Sequence, residues 1–219
     1  MQTSSSPLTI GILALQGAYS AHAQALRRLG IASKWVRRQQ DITHIDGLII
    51  PGGESTALLE LMRYEDLFDA LKDYVATQPC LGTCAGLILL AQNVRPAQLC
   101  FGRLPVTVER NAYGRQRDSH IYRGHFDHAN GASTIEMPLI RAPKIIEWDP
   151  AITIHAWLDH FPAFVQYGQT LACTFHPELS NQTCVHTIFV DVCRNNARQR
   201  REKLETTRKV NQSTVLSAH

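Results

Sequence analysis

Three short apolar runs, each ended by glycine or proline and each followed by a helix-forming stretch, constrain this chain most. They are Thr9-Ile10-Gly11-Ile12-Leu13-Ala14-Leu15 before Gly17, Asp46-Gly47-Leu48-Ile49-Ile50 before Pro51-Gly52-Gly53, and Cys80-Leu81-Gly82. Continuous apolar runs of this length predict strands buried on both faces, as in a parallel sheet covered by helices. The segments between them fit that plan. Ala18 to Leu29 reads as a helix with Gly30 as its stop, Ala32 to Val36 as a strand, and Ser55 to Met62, Glu65 to Val75 and Ala85 to Gln92 as helices. Further on, Pro105 to Arg110, Ser133 to Ile140, Ile152 to Trp157, Phe164 to Tyr167 and Thr170 to Phe175 are strand-like with no long helix between them. They are expected to add mixed or antiparallel strands to the same sheet. A final helix, Cys184 to Glu205, closes the domain. The expected fold class is α/β: a single three-layer domain with a mostly parallel central sheet flanked by helices, and added antiparallel strands in the second half.

With 219 residues, 44% of them hydrophobic and 19% charged, the chain suits one sizeable globular domain and is too apolar to be disordered. No apolar run approaches the roughly 18 residues that span a bilayer, and the first seven residues lack a basic signal-peptide region. Six cysteines without a CxxC pair point to reduced thiols, so a cytoplasmic location without membrane attachment is expected. Charge is unevenly placed. Residues 194–219 hold seven Lys or Arg against Glu202 and Glu205, which leaves the body slightly acidic. That divides the chain into a domain over 1–193 and a basic C-terminal extension over 194–219. It argues against a nucleic-acid-binding surface. His120, His125, His128, His155 and His160 have no metal-ligand spacing, so no metal site is expected.

Chemistry concentrates at strand ends, where open α/β sheets place their sites. Gly82-Thr83-Cys84-Ala85-Gly86 has the form of a nucleophile elbow with cysteine in place of serine. A thiol at a helix start has its thiolate stabilised by the helix dipole and free N–H groups. The bland alternative is a buried structural cysteine. His176-Pro177-Glu178 shifts that balance, because residues i and i+2 of an extended segment point the same way. Glu178 could then hold the His176 tautomer while the other ring nitrogen takes a proton from Cys84. Pro51-Gly52-Gly53-Glu54-Ser55 reads either as a turn with a helix cap, or as an oxyanion loop whose glycine N–H works with that of Ala85. Arg110 and Arg141 each follow a strand-like stretch and could equally be ordinary surface arginines.

Taken together, these segments resemble the class I (triad) glutamine amidotransferases, and within them are most similar to the glutaminase subunits of pyridoxal 5′-phosphate synthases. The resemblance rests on Leu13-Ala14-Leu15-Gln16-Gly17, Gly47 to Thr56, Gly82 to Leu87, Val108-Glu109-Arg110-Asn111-Ala112-Tyr113-Gly114-Arg115-Gln116, Ile140-Arg141-Ala142-Pro143 and Phe175-His176-Pro177-Glu178-Leu179. It covers roughly residues 9–193. Residues 117–131, rich in His and Arg, and the basic tail depart from the family pattern.

The resemblance implies catalysis by Cys84, His176 and Glu178. It implies glutamine binding by Gly53, Glu54, Ser55, Arg110, Ile140 and Arg141, and an oxyanion hole from the N–H groups of Gly53 and Ala85. Gln16 would sit on the interface or oxyanion side. L-glutamine would be hydrolysed to glutamate and ammonia without a cofactor, and the ammonia passed to a (β/α)₈-barrel synthase subunit that builds pyridoxal 5′-phosphate from ribose 5-phosphate and glyceraldehyde 3-phosphate. The competing readings are the glutaminase subunit of another amidotransferase such as imidazole glycerol phosphate synthase, a cysteine peptidase of the same sheet architecture, and a non-catalytic member of the fold.

Overall fold

The computed structural model describes residues 7–112, 120–128 and 131–216; residues 113–116 of the arginine-bearing segment and residues 117–119, 129 and 130 of the stretch 117–131 lie outside them. The first two-thirds of the alternating pattern folds as expected. β1 (Thr9–Leu13), α1 (Tyr19–Arg28), β2 (Ala32–Val36), β3 (Gly47–Ile50), α2 (Ser55–Tyr64), α3 (Phe68–Thr77), β4 (Cys80–Thr83) and α4 (Ala85–Leu90) follow in order. The chain goes on through β5 (Ala91–Arg95), β6 (Leu104–Glu109), β7 (His120–His128), β8 (Gly131–Leu139), β9 (Lys144–Trp148), β10 (Thr153–Leu158), β11 (Phe161–Tyr167), β12 (Thr170–Cys173) and α5 (Cys184–Leu216).

The main sheet has nine strands in the order β2-β1-β3-β4-β12-β11-β10-β7-β8. Its first five strands pair in parallel and the rest antiparallel. Side chains alternate between its faces. Ile10, Ile12 and Ile49 join α1 (Leu26) and α5 (Val185, Phe189) in one core cluster, while Leu13, Leu48 and Ile50 join α2 (Leu58), α3 (Leu71) and α4 (Leu87) in the other. Each buried Leu or Ile of this kind contributes about 1.5–3 kcal/mol relative to exposure.

Four strands depart from the expectation: β6 joins another sheet, and β5, β7 and β9 are not among the expected strands. Pro105 to Arg110, expected in the same sheet, instead forms β6 of a separate three-stranded sheet, β5-β6-β9, whose Val94, Leu104, Val106, Val108 and Ile145 pack into the α2–α4 core. The helix expected to reach Gln92 ends at Leu90, and the chain becomes β5, pairing Ala91 with Leu104 and Val94 with Val108. Leu87 to Leu90 are buried all round, so the run carries no helical periodicity from which to read an end. β7 is masked in the sequence by its histidines and arginine. Gly124 lies where a Cβ would strike Met137 and the Trp157 carbonyl oxygen, which brings the strand close against β10 and β8. α3 begins at Phe68 rather than Glu65, after Asp66 takes a left-handed φ of 49°.

α5 runs unbroken through residue 194. Asn196 is still buried, and Arg200 Nη2 meets Asp46 Oδ1 at 3.0 Å. Among the described residues, no helix is long and apolar enough to cross a membrane, and no group of three or more His, Cys, Asp and Glu side chains could hold a metal ion.

Candidate active site

β3, β4 and β12 are neighbours in the sheet and run in parallel, so their carboxyl ends deliver Pro51-Gly52-Gly53, Cys84 and the His176 turn to one place. The elbow is sharp. Cys84 has φ 48° and ψ −99°, a backbone conformation that L-residues rarely adopt, and its N–H is anchored to the Cys173 carbonyl of β12 at 2.9 Å. Close approach explains the two glycines that flank it. A Cβ on Gly82 would meet the backbone of Gly86, and one on Gly86 would run into the Ile50 carbonyl oxygen of β3. The glycines therefore let helix and sheet backbones touch beneath the nucleophile.

Cys84 is 4% exposed and faces a cavity of about 550 Å³. Of the residues expected to bind glutamine or carry the chemistry, Gly53, Glu54, Ser55, Cys84, Arg110, Ile140, Arg141 and His176 all line this cavity, with Gln16, Ile88 and Asn111 beside them. Ala85 opens α4 next to the nucleophile, and Glu178 stands behind His176. Asn111 (φ 54°) and Arg141 (φ 46°) are, like Cys84, non-glycine residues at positive φ, so strained backbone gathers at this rim.

His176 Nδ1 and Glu178 Oε1 are 2.8 Å apart, with the Glu178 side chain fully buried. The extended segment expected here is not formed. His176 is non-helical at φ −106° and ψ 81° but short of the extended region, and Pro177 starts a single 3-10 turn that carries Glu178, so the turn rather than strand alternation brings the two side chains together. Burial pulls the His176 imidazole down, but hydrogen bonds and charge from Cys84 and Glu178 outweigh it and raise it to about 10. Burial pushes the Glu178 carboxyl up, and His22 and His176 more than offset that, for a net shift downward. Imidazole and carboxylate thus form a hydrogen-bonded pair beside the thiol in one cavity, the Cys84 Sγ itself lying 3.9 Å from the Ile140 carbonyl oxygen, so that the imidazole can exchange a proton with the sulfur while the carboxylate holds its orientation.

The loop after β3 plays the capping part foreseen for it. Glu54 caps α2, accepting from the Thr56 N–H at 3.1 Å and the Ala57 N–H at 2.6 Å. Arg110 Nη2 donates to Glu54 Oε1 at 3.2 Å and to Thr56 Oγ1 at 3.1 Å. Although burial opposes it, these hydrogen bonds and the Arg110 charge hold the Glu54 carboxyl below its usual range. Ser55 does no capping: its hydroxyl donates to Gln98 Oε1 at 2.9 Å. Gln16 Oε1 accepts the Glu54 N–H at 3.2 Å and lies where a Cβ on Gly53 would be, so it braces the glycine loop. Arg110 is therefore no free surface arginine, since its side chain is only 17% exposed.

The sequence matches the SNO glutamine amidotransferase family over residues 12–195. The chain belongs to that family. Among curated relatives it is 45% identical over 189 residues, 86% of this chain and 97% of the relative, to the pyridoxal 5′-phosphate synthase subunit PdxT of Koribacter versatilis. It is 42% identical over 186 residues, 83% of this chain and 97% of the relative, to the protein of that name in Solibacter usitatus. A solved structure described as a glutamine amidotransferase superposes with TM-score 0.77 at 36% identity, covering 84% of this chain and 98% of that one. A PurLQS structure from Thermotoga maritima, at 13% identity and TM-score 0.58, covers 89% of this chain and 99% of that one and shares the fold alone. The class I glutamine amidotransferase-like fold that the resemblance implies is thus the fold observed.

Three residues at this site escaped the sequence reading: Thr83, His22 and His186. Thr83 Oγ1 accepts the Gly52 N–H at 2.9 Å. His22 and His186 are both fully buried, on α1 and α5. The available signal was a histidine on the apolar stripe of α1, where His22, Ala25 and Leu26 are the buried positions.

Proposed function

We propose that this chain is the glutaminase subunit of a pyridoxal 5′-phosphate synthase, hydrolysing L-glutamine to L-glutamate and ammonia with Cys84, His176 and Glu178. The observation that carries the reading is the meeting of the strained Cys84 elbow with the His176–Glu178 pair at the wall of one cavity whose rim bears Arg110.

Cys84 Sγ attacks the side-chain amide carbon of glutamine as a thiolate, its proton already held on His176, whose imidazolium form the neighbouring groups favour. The N–H groups of Gly53 and Ala85 receive the oxyanion. The His176 imidazolium returns the proton to the departing ammonia, leaving a γ-glutamyl thioester on Cys84. His176 then draws a proton from water, the resulting hydroxide adds to the thioester, and glutamate leaves as the thiol is restored. Arg110 and Arg141 offer guanidinium groups for the α-carboxylate of the substrate, Gly53, Glu54 and Ser55 hold its backbone end, and Ile140 packs against the chain. None of these steps asks for a metal or a coenzyme.

Ammonia released into water is protonated and diluted, so its consumer must dock on this chain. The names of the relatives support a synthase subunit, expected to be a (β/α)₈ barrel, in that place. We assign the glutaminase unit to residues 1–193, with 194–219 as a basic extension, and place the chain in the cytoplasm without nucleic-acid or membrane partners.

The test is glutamate release from glutamine by the chain alone and with the pyridoxal 5′-phosphate synthase subunit added. Release that appears or rises strongly with that partner is expected. Turnover indifferent to the partner would keep the chemistry and move the pathway to another amidotransferase. Folded protein with no turnover in either condition would overturn the assignment.

A further inference from the structure

The triad uses only one oxygen of Glu178. Oε1 faces His176, while Oε2 is buried and has no well-formed hydrogen bond among the described residues. Three elements converge on it from the face of the sheet opposite the cavity. His22 Nε2, from α1, lies 3.4 Å from Glu178 Oε2 and 3.3 Å from Thr83 Oγ1 at the end of β4. His22 Nδ1 meets His186 Nε2, from α5, at 3.0 Å. All three side chains beside the carboxylate are buried.

Which hydrogens lie where follows from counting. A neutral imidazole carries one N–H. If His22 donated from Nδ1 to His186, its bare Nε2 would face the Glu178 carboxylate lone pair to lone pair, with only the Thr83 hydroxyl able to donate to it. His186 would then have to carry its hydrogen on Nδ1, and that buried atom has no partner among the described residues. A buried N–H without an acceptor is costly, and so is an unsatisfied buried carboxylate oxygen. The opposite arrangement leaves no N–H on the unpartnered His186 Nδ1 and points one at Glu178 Oε2, across the 3.4 Å that separates it from His22 Nε2. His186 Nε2–H donates to His22 Nδ1, and His22 Nε2–H turns toward Glu178 Oε2 and Thr83 Oγ1. Burial keeps both rings neutral, lowering His22 and taking His186 down to about 3, so what reaches Glu178 is a directed N–H rather than a mobile charge.

We propose that His22 is a positioning residue of the glutamine-hydrolysing site, held as the Nε2–H tautomer by His186 and donating to the Glu178 oxygen that His176 leaves free. The inference rests on the glutaminase reading for its kinetic consequence, but not for the tautomer itself. Its effect reaches the site by two routes. Fixing the second oxygen stops the carboxylate turning about its terminal bond, which keeps the His176 ring aimed at Cys84. Thr83, which shares the His22 N–H, also receives the Gly52 N–H, so the carboxylate and the glycine loop are registered to one another.

A His22→Gln variant keeps an amide N–H near the Nε2 position, whereas His22→Asn places its amide near Nδ1, short of Glu178. The two are similarly polar, so a merely structural role would damage both alike. In the complex with the synthase subunit, His22→Asn is expected to lower kcat for glutamine by roughly 10- to 100-fold, the usual scale for groups that orient a ligand or acid from behind. KM should change by less than about twofold, because His22 does not face the cavity. His22→Gln should recover most of the lost kcat.

The pH profile is the second readout. The groups facing this carboxylate and His22 are His176 on the same turn, the buried Cys173 thiol on β12, His186 on α5, Thr83 on β4 and Arg28 on α1, which acts on His186. Of these, only the N–H of His22 is withdrawn in the Asn variant. Glu178 then becomes more basic, so the acid limb of kcat/KM moves to higher pH in His22→Asn and stays in place in His22→Gln.

Equal losses in the two variants with an unmoved acid limb would overturn the proposal. Should both variants misfold, ¹⁵N spectra of the histidine-labelled wild-type protein decide it: a protonated Nε2 and bare Nδ1 on His22 are expected, and the reverse would sink the idea. Absence of glutaminase activity in the wild-type complex would instead count against the function, while leaving that spectrum to stand.

Discussion

Cys84 and Arg110 make different demands on the same cavity. The sulfur enters only the bond-making steps, so Cys84→Ala should reduce glutamate release at least ~10³-fold while the protein still folds. Alanine keeps the Cβ that the elbow already accommodates, and the strain at φ 48° is common to both residues. Circular dichroism beside the glutamate assay checks this, and near-normal turnover in the variant would remove Cys84 from the chemistry. Arg110 is already committed to Glu54 and Thr56 and stands ready for an anionic substrate group. Arg110→Ala should raise KM for glutamine by about tenfold or more with little change in kcat, the mark of lost ground-state binding. A loss confined to kcat would mean that this guanidinium acts in the transition state instead.

The elements that bear the site are held by backbone contacts that admit no side chain. Gly86, in the first turn of α4, meets the Ile50 carbonyl of β3, and that contact sets how deep the helix sits behind Cys84. Gly86→Ala forces two backbones apart and should destabilise the protein by about 1–3 kcal/mol, on the scale of overpacked cores. Urea unfolding measures it, and an unchanged midpoint would show that the helix can slide. The G-x-C-x-G spacing was legible in the sequence for this reason: glycine at both positions is a steric requirement of a strand-to-helix elbow. The neighbouring α4–β5 junction was not. Nothing in Leu87-Ile88-Leu89-Leu90-Ala91 marks where helix gives way to strand, and the pairing of Ala91 with Leu104 and of Val94 with Val108 settles it.

At the scale of the whole molecule, the buried titratable groups oppose each other across the pH range. His186 has a folded value near 3 against about 6.5 unfolded, and His22 shifts the same way. The unfolded chain therefore takes up protons first as pH falls below about 6.5, and stability declines from there. Glu178, lowered from 4.5, adds a contribution present above 4.5 and lost as pH falls further. His176, raised to about 10, contributes below 6.5 and loses that contribution as pH rises through 10. Unfolding free energy should accordingly pass through a maximum near neutrality, with a shallower acid slope in a His186→Phe variant. An acid slope unaltered by that substitution would assign the loss to other groups.

The sequence by itself determined the alternating α/β half, the elbow, the His-Pro-Glu turn and the family. Each of these is written in local terms: apolar run length, glycine at a backbone contact, and a proline that keeps the preceding residue out of the helical region. What only the tertiary structure decided is everything that depends on which strands become neighbours. β3, β4 and β12 come from distant parts of the chain, and their adjacency is what turns three separate motifs into one cavity. The second sheet, and the placement of His22 and His186 against Glu178 across 156 and 8 residues of chain, arise in the same way. A histidine on the apolar stripe of a helix looks like ordinary core until the fold brings a carboxylate to its ring nitrogen.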